Sequence, residues 1–84
     1  MANVKIYSSD YCPYCIRAKR LLDGKKQAYE EIKLVIGGDE MNALIKETGM
    51  KTVPQIFINE KLIGGFSELS ALEKQGELDK LLAQ

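Results

Sequence analysis

The chain of 84 residues contains no histidine, and that one absence removes several chemistries. Cysteine–histidine hydrolysis, an imidazole general base and mixed cysteine/histidine zinc sites are all excluded. An excess of one charge is missing too. The 12 Lys and Arg balance the 12 Asp and Glu, so no overall field draws the chain to nucleic acid or to an anionic membrane surface. No apolar run approaches the roughly 20 residues that a bilayer-spanning helix needs. A strand is expected almost at the start, which leaves no room for a signal peptide and makes the cytoplasm the expected compartment. Thiols are normally kept reduced there. Proline and cysteine are scarce, 2 of each. Both cysteines fall in the single stretch Tyr11-Cys12-Pro13-Tyr14-Cys15. The remaining composition, 45% hydrophobic and 29% charged, is that of a globular protein, and the length suits one domain over residues 1–84.

Val4 and Ile6 alternate with Lys5 and Tyr7, the period of a strand. Ser8 to Tyr11 then read as a loop, and Pro13 suits the first turn of a helix because its missing N–H would be unpaired there. That helix is expected from Pro13 to about Leu22, closed by Asp23-Gly24. Cys12 therefore falls at the N-cap, with unpaired backbone N–H groups facing its sulfur. Around the helix, Cys15, Ala18 and Leu22 share the face that packs on the sheet, with Leu21 beside them. Cys12 falls instead near Ile16, Lys19 and Arg20, with Arg17 at the edge. The spacing thus exposes the first sulfur and half-buries the second.

A second strand within Ala28 to Leu34, centred on Tyr29 to Lys33, completes a strand–helix–strand unit and implies parallel pairing. After a Gly37-Gly38 turn, Asp39 is expected to cap a second helix. Its Met41, Leu44, Ile45 and Thr48 recur at helical spacing, with Met41 in the core, and Gly49 ends it. Gln55 to Ile58 and Lys61 to Ile63 flank Asn59-Glu60 as a hairpin. Beyond Gly64-Gly65, Ser67 is expected to cap a helix carrying Leu69 and Leu72. Gly76 interrupts it before a last turn through Leu78, Leu81 and Leu82.

The chemistry centres on Cys12. A free thiol is about 3% thiolate near neutral pH; a helix terminus supplying about 1 kcal/mol raises that to about 15%, and ~2 kcal/mol to about half. The dipole alone is too weak for a strongly activated thiol. Hydrogen bonds to the sulfur must supply the rest, from the N–H groups of Tyr14 and Cys15 and from the Cys15 thiol, with Lys19 and Arg20 adding a solvent-screened contribution. As a purely structural disulfide the pair would achieve little: closing four residues stabilises by roughly 2 kcal/mol, against roughly 3 for a fifteen-residue loop. As a zinc site it is half of a ligand set. A redox pair is the reading these comparisons favour, with an intersubunit metal site and a structural pair as the alternatives. A C-x-x-C pair beside a βαβ pattern is itself the signature of thioredoxin-like redox motifs.

Two more segments carry a signal. In Lys51-Thr52-Val53-Pro54-Gln55, Pro54 reads either as a strand-start residue or as a cis peptide that leaves the Val53 backbone free for an extended ligand. In Gly64-Gly65-Phe66-Ser67-Glu68, glycines permit close backbone approach and a helix N-terminus offers an anion site; the plainer alternative is a hairpin-to-helix turn.

Taken together, Cys12-Pro13-Tyr14-Cys15, Thr52-Val53-Pro54-Gln55-Ile56-Phe57-Ile58 and Gly64-Gly65-Phe66-Ser67 resemble the small dithiol glutaredoxins, over essentially the whole chain. The resemblance implies an α/β thioredoxin-like fold, with a four-stranded mixed sheet flanked by helices on both faces. It implies a glutathione-dependent disulfide oxidoreductase with Cys12 as nucleophile, Cys15 as resolving thiol, and no metal. Pro13, Tyr14 and a cis Pro54 facing the cysteines would support them. Glutathione would lie extended against Val53, with Thr52, Lys51, Pro54 and Tyr14 alongside, and its γ-glutamyl end at Gly65, Phe66, Ser67 and Glu68. The implied partners are glutathione and disulfide-containing or glutathionylated proteins, ribonucleotide reductase being one candidate; no nucleic acid or membrane is implied, and the expected state is a monomer.

Three departures from the family pattern bear on binding. Many relatives carry a lysine in the loop where this chain has Ser9 and Asp10, and Lys51 is the candidate to replace it. Ser67-Glu68 stands where paired aspartates are common, and Phe66 where some relatives have a cysteine. Two competing readings are a similar enzyme reduced by thioredoxin reductase, and an iron–sulfur carrier whose dimer shares a cluster through Cys12 and glutathione. Relatives that carry clusters usually lack the proline and tyrosine found here.

Overall fold

The computed structural model describes residues 2–10 and 12–83. Tyr11, in the loop expected ahead of Cys12, lies outside the described residues, as do Met1 and Gln84. The elements in order are β1 (Val4–Ser8), α1 (Pro13–Gly24), β2 (Glu30–Lys33), α2 (Asp39–Thr48), β3 (Gln55–Ile58), β4 (Lys61–Gly64), α3 (Phe66–Lys74) and α4 (Glu77–Leu82). The strands form one mixed sheet in the order β2-β1-β3-β4. β1 and β2 run parallel, with Ser8 opposite Lys33; β1–β3 and β3–β4 are antiparallel.

Strand alternation divides the core between the two faces of the sheet. Val4, Ile6, Ile56 and Ile58 point to one face, where Ala18 and Leu22 of α1, Leu69 of α3 and Leu78 of α4 cover them. The opposite face holds Leu34 with Met41 and Leu44 of α2, and Tyr7, Ile32, Ile45, Val53 and Phe57 pack around them. The expected four-stranded mixed sheet with helices on both faces is therefore the one observed, and Met41 is a core residue. The edge strand β2 carries Glu30, Glu31 and Lys33 toward solvent, charges that discourage pairing with another chain.

Several boundaries differ from the sequence reading, each for a physical reason. Helix α1 continues past Leu22 to Gly24, and the left-handed residue that closes it is Lys26 (φ 57°), not Gly24. Two backbone bonds complete the closure, Lys26 N–H to Asp23 O at 2.9 Å and Gln27 N–H to Leu22 O at 3.0 Å, the pairing of a Schellman motif. Lys25 holds the same end by reaching Glu73 and Asp79, both at 2.7 Å. Asp39 is the first residue inside α2 rather than its cap, which is Gly38; its carboxylate faces the positive end of the helix from within. Ser67 likewise lies inside α3, whose cap is Gly65. Gly49 ends α2 in the left-handed conformation, as expected.

The hairpin turn places Asn59 and Glu60 both at positive φ, 52° and 70°, the geometry of a type I′ turn. Asn59 is anchored there by reciprocal bonds with Asn3: its Oδ1 accepts the Asn3 N–H at 2.9 Å, and its own N–H donates to Asn3 O at 2.8 Å. That anchoring offsets the unfavourable conformation of a glutamate at the second turn position.

Candidate active site

Parallel pairing of β1 with β2 sets the stage, because the loop leaving the carboxyl end of β1 is where an open α/β sheet presents ligands. That loop ends at Cys12, the N-cap of α1, with Pro13 as the first helical residue. The Cys12 backbone is extended (φ −108°, ψ 102°) and its Sγ accepts the Cys15 N–H at 3.1 Å. A sulfur thus takes the place normally held by a serine or aspartate oxygen at a helix start. Among the described residues, the Tyr14 N–H, expected alongside, makes no hydrogen bond to that sulfur.

The two sulfurs are joined as a Cys12–Cys15 disulfide, with the Cα atoms 5.2 Å apart. Cys15 is 1% exposed, so the second sulfur is fully buried rather than half-buried. It sits on the same helix face as Ala18 and Leu22, both at 0%, and the whole face is covered by the sheet. Cys12 remains partly open. Helix periodicity thus leaves Cys12 the accessible sulfur of the pair, with Cys15 beneath it.

Of the two cations expected near Cys12, Lys19 is drawn to another partner. Lys19 Nζ lies 2.7 Å from Glu31 Oε2 on β2, and the Ser8 hydroxyl donates to the same oxygen at 2.8 Å. Lys19, then Ser8, hold the Glu31 carboxyl below the ordinary carboxylate range. The charge of Lys19 is thereby engaged with a carboxylate. Arg17 lies over the Tyr14 ring, 5.3 Å from its centroid, and Asp10 pairs with Lys33 at 3.4 Å.

Beside Cys12 runs a groove of about 320 Å³, lined by Tyr14, Met50, Thr52, Val53, Pro54, Gly65, Phe66, Ser67 and Glu68. One wall is the segment between α2 and β3. The Val53–Pro54 peptide in it is cis, and the Val53 carbonyl oxygen lies 3.8 Å from Cys12 Sγ. The other wall is the first turn of α3. Tyr14, from α1, also lines the groove, its ring 6.4 Å from that of Phe66. Thr52, Val53, Pro54, Gly65, Phe66, Ser67, Glu68 and Tyr14 are thus brought together as the sequence suggested. Lys51 is exposed and outside the lining; Met50, which the sequence reading missed, lines the groove instead. A methionine after a helix-ending glycine carries no local signal that would have marked it.

At the α3 wall the capping residue has no side chain. Glu68 reaches back so that its Oε1 accepts the Gly65 N–H at 2.7 Å, the second half of a capping box. Gly64 suits this position by its backbone conformation. Its φ is 124°, and a Cβ would lie 2.5 Å from that same Glu68 oxygen. Helix geometry leaves the N–H groups of Phe66, Ser67 and Glu68 without intrahelical acceptors, aimed toward the N-terminal end.

Among the described residues no group of three or more histidine, cysteine, aspartate or glutamate side chains is placed to hold a metal ion, and no helix is long and apolar enough to cross a membrane.

A sequence model of the glutaredoxins matches residues 4–63. Glutaredoxin 3 of Escherichia coli (strain K12) is 46% identical over 82 residues, spanning 98% of this chain and 99% of that protein. A glutaredoxin of Pseudomonas aeruginosa is 48% identical over 84 residues, 99% of each chain. Among solved structures, a buckwheat glutaredoxin–glutathione complex superposes with a TM-score of 0.87 at 31% identity, covering 98% of this chain and 77% of the other. A family model over most of the chain, relatives of this closeness and a shared fold leave one assignment: the chain belongs to the glutaredoxin family.

Proposed function

We propose that the chain works as a glutathione-dependent thiol–disulfide oxidoreductase in which Cys12 is the nucleophile, Cys15 the resolving thiol, and the groove beside them the glutathione site. The observation that carries this reading is the meeting of three features. A helix-capping sulfur lies 3.8 Å from the Val53 carbonyl oxygen, and the Val53 segment and a second helix N-terminus line one groove beside it. Glutathione offers a matching set. Its cysteine sulfur goes to Cys12, and its extended backbone pairs with the Val53 edge as an added strand would. Its γ-glutamyl carboxylate suits the α3 N–H groups, and its ammonium suits the Glu68 carboxylate. The groove volume of about 320 Å³ lies within the ~300–1,000 Å³ typical of small-ligand sites.

For a glutathionylated protein, the Cys12 thiolate attacks the glutathione sulfur. A Cys12–glutathione disulfide forms, the protein–glutathione bond breaks, and the released protein thiolate takes up a proton. A second glutathione, as thiolate, then attacks the glutathione sulfur held on Cys12, releasing oxidised glutathione and restoring the Cys12 thiolate. For a protein disulfide, Cys12 forms a mixed disulfide with one protein sulfur and the other leaves as a thiol. The Cys15 thiolate then attacks Cys12 Sγ, giving the Cys12–Cys15 bridge and the second protein thiol. Two glutathiones reduce that bridge.

The protein partner in this reading carries an accessible disulfide or a glutathionylated cysteine; ribonucleotide reductase is one candidate. The chain acts as a monomer in a reducing compartment such as the cytoplasm, where the pair is returned to dithiol after each cycle. The test is turnover of a glutathionylated peptide with glutathione, glutathione reductase and NADPH. Saturable turnover that vanishes in Cys12→Ser is the expected result. Turnover only when thioredoxin reductase replaces glutathione and its reductase would contradict it.

A further inference from the structure

Gln55 is the residue after the cis proline, and no step above uses it. Its side chain is 0% exposed, on the α2 side of the sheet, directly across from Tyr7. It lies beneath the groove without lining it. Its Nε2 donates to two carbonyls of the preceding segment, Met50 O at 3.0 Å and Thr52 O at 3.1 Å. Two acceptors facing one amide end fix the orientation of the carboxamide, since the reversed one would set oxygen against oxygen. The Oε1 then finds no donor among the described residues. A buried polar group with an unmet acceptor is unfavourable where an apolar side chain would fill the same space, so the two bonds that it makes call for a reason.

Peptide geometry supplies one. In a planar trans peptide the carbonyl and the N–H point in opposite directions. Gln55 holds the Thr52 carbonyl inward, so the N–H of the same peptide unit, that of Val53, is turned outward to the groove side. The neighbouring carbonyl, that of Val53, lies 3.8 Å from Cys12 Sγ. The segment is also fixed from its other end, where Thr48 Oγ1 donates to Leu44 O at 3.0 Å and accepts the Met50 N–H at 3.1 Å. Met50 is thus held by both its N–H and its carbonyl.

The geometry points to Gln55 as a positioning residue that sets the direction of the Thr52–Val53 peptide and so presents the Val53 N–H to the backbone of the glutathione moiety. This rests on the glutathione reading of the groove and adds to it the group that decides affinity for that moiety, as distinct from the chemistry at Cys12. It separates recognition from sulfur reactivity in a measurable way.

The test compares Gln55→Met, which keeps the volume and removes both bonds, with the unaltered protein on two substrates. One is a peptide capped by glutathione, the other the same peptide capped by mercaptoethanol. The expected result is a KM about tenfold higher for the glutathione-capped peptide, with kcat, the rate on the mercaptoethanol-capped peptide and the Cys12 alkylation rate by iodoacetamide all within about twofold. Thr48→Val, which frees the other end of the segment, should raise the same KM by a smaller factor, and it provides the reading should Gln55→Met fold poorly. Unchanged KM in both variants overturns the assignment, and so does a parallel loss in all readouts, which would mark Gln55 as a merely structural residue. If the unaltered protein does not prefer the glutathione-capped peptide, the glutathione reading itself falls, and the role of Gln55 with it.

Discussion

At the start of α1 the cap is a cysteine sulfur, while at the start of α3 it is a glycine with no side chain at all. Both helix ends border the same groove, and each leaves backbone N–H groups in need of a negative partner. The first meets that need from within the chain: Cys12 Sγ accepts the Cys15 N–H at 3.1 Å. The second is met only in part. Glu68 takes the Gly65 N–H, and the following amides stay directed outward. In the proposed function, the first terminus stabilises a charge that the protein itself carries in its reduced state, and the second receives a charge that a ligand brings. Their difference lies in the capping residue, one atom type against none.

The sharpest way to break the comparison is at the first terminus. Cys12→Ser keeps a capping side chain and removes the nucleophile, so both deglutathionylation and protein-disulfide reduction should fall to the uncatalysed background. Cys15→Ser should lose disulfide reduction and retain much of the deglutathionylation, because only the former needs the buried sulfur. Steady-state rates on a glutathionylated peptide and on a protein disulfide measure both; equal loss in Cys15→Ser would contradict the division of labour.

A smaller effect is expected at the second terminus. Glu68→Ala removes the capping bond and should cost about 0.5–2 kcal/mol of stability, read from denaturant midpoints. Glu68→Gln keeps an acceptor for Gly65 and should be nearly as stable as the parent. If Glu68 meets the γ-glutamyl ammonium, both variants raise the KM for a glutathionylated peptide, by about three- to tenfold for an exposed charge-assisted contact. Unchanged KM in Glu68→Gln would restrict Glu68 to capping. Lys51→Ala serves as the control just outside the groove, with a change of less than about twofold expected from a solvent-screened charge.

The smallest effect belongs to the pair that lies away from both termini. Lys19 and Ser8 lower the Glu31 pKa, so the contribution of Glu31 to stability is present above the ordinary carboxylate value of 4.5 and is lost as the pH falls through the lowered one. For a partly exposed pair it amounts to less than about 1 kcal/mol. Denaturant midpoints of the parent and of Glu31→Gln should therefore differ near neutral pH and converge in acid. A gap that stays constant with pH would show that the pairing contributes nothing through titration.

What the sequence made legible follows from how local each cause is. The alternation in β1, the helical spacing of Met41, Leu44, Ile45 and Thr48, and the Cys12-Pro13 helix start depend on near neighbours, and the observed elements agree. Gly24 misled because Lys26 takes the left-handed position, helped by the distant carboxylates that anchor Lys25. Ser67 misled because Glu68 supplies the cap of α3 from inside the helix. Lys19 was set beside Cys12 by helix phase alone; its partner Glu31 comes from a strand that the phase of one helix does not reveal. The groove was legible as three separate motifs, yet Met50 and Gln55 were not. Their roles arise from the path of the chain after α2 and from the register of β3 against β1.

The most direct test of the central claim is the pH profile of Cys12 alkylation by iodoacetamide in the reduced protein, measured beside that of free glutathione. The account predicts that the Cys12 rate stays level as the pH is lowered well past the point where the glutathione rate has fallen. Two curves that fall together would contradict it.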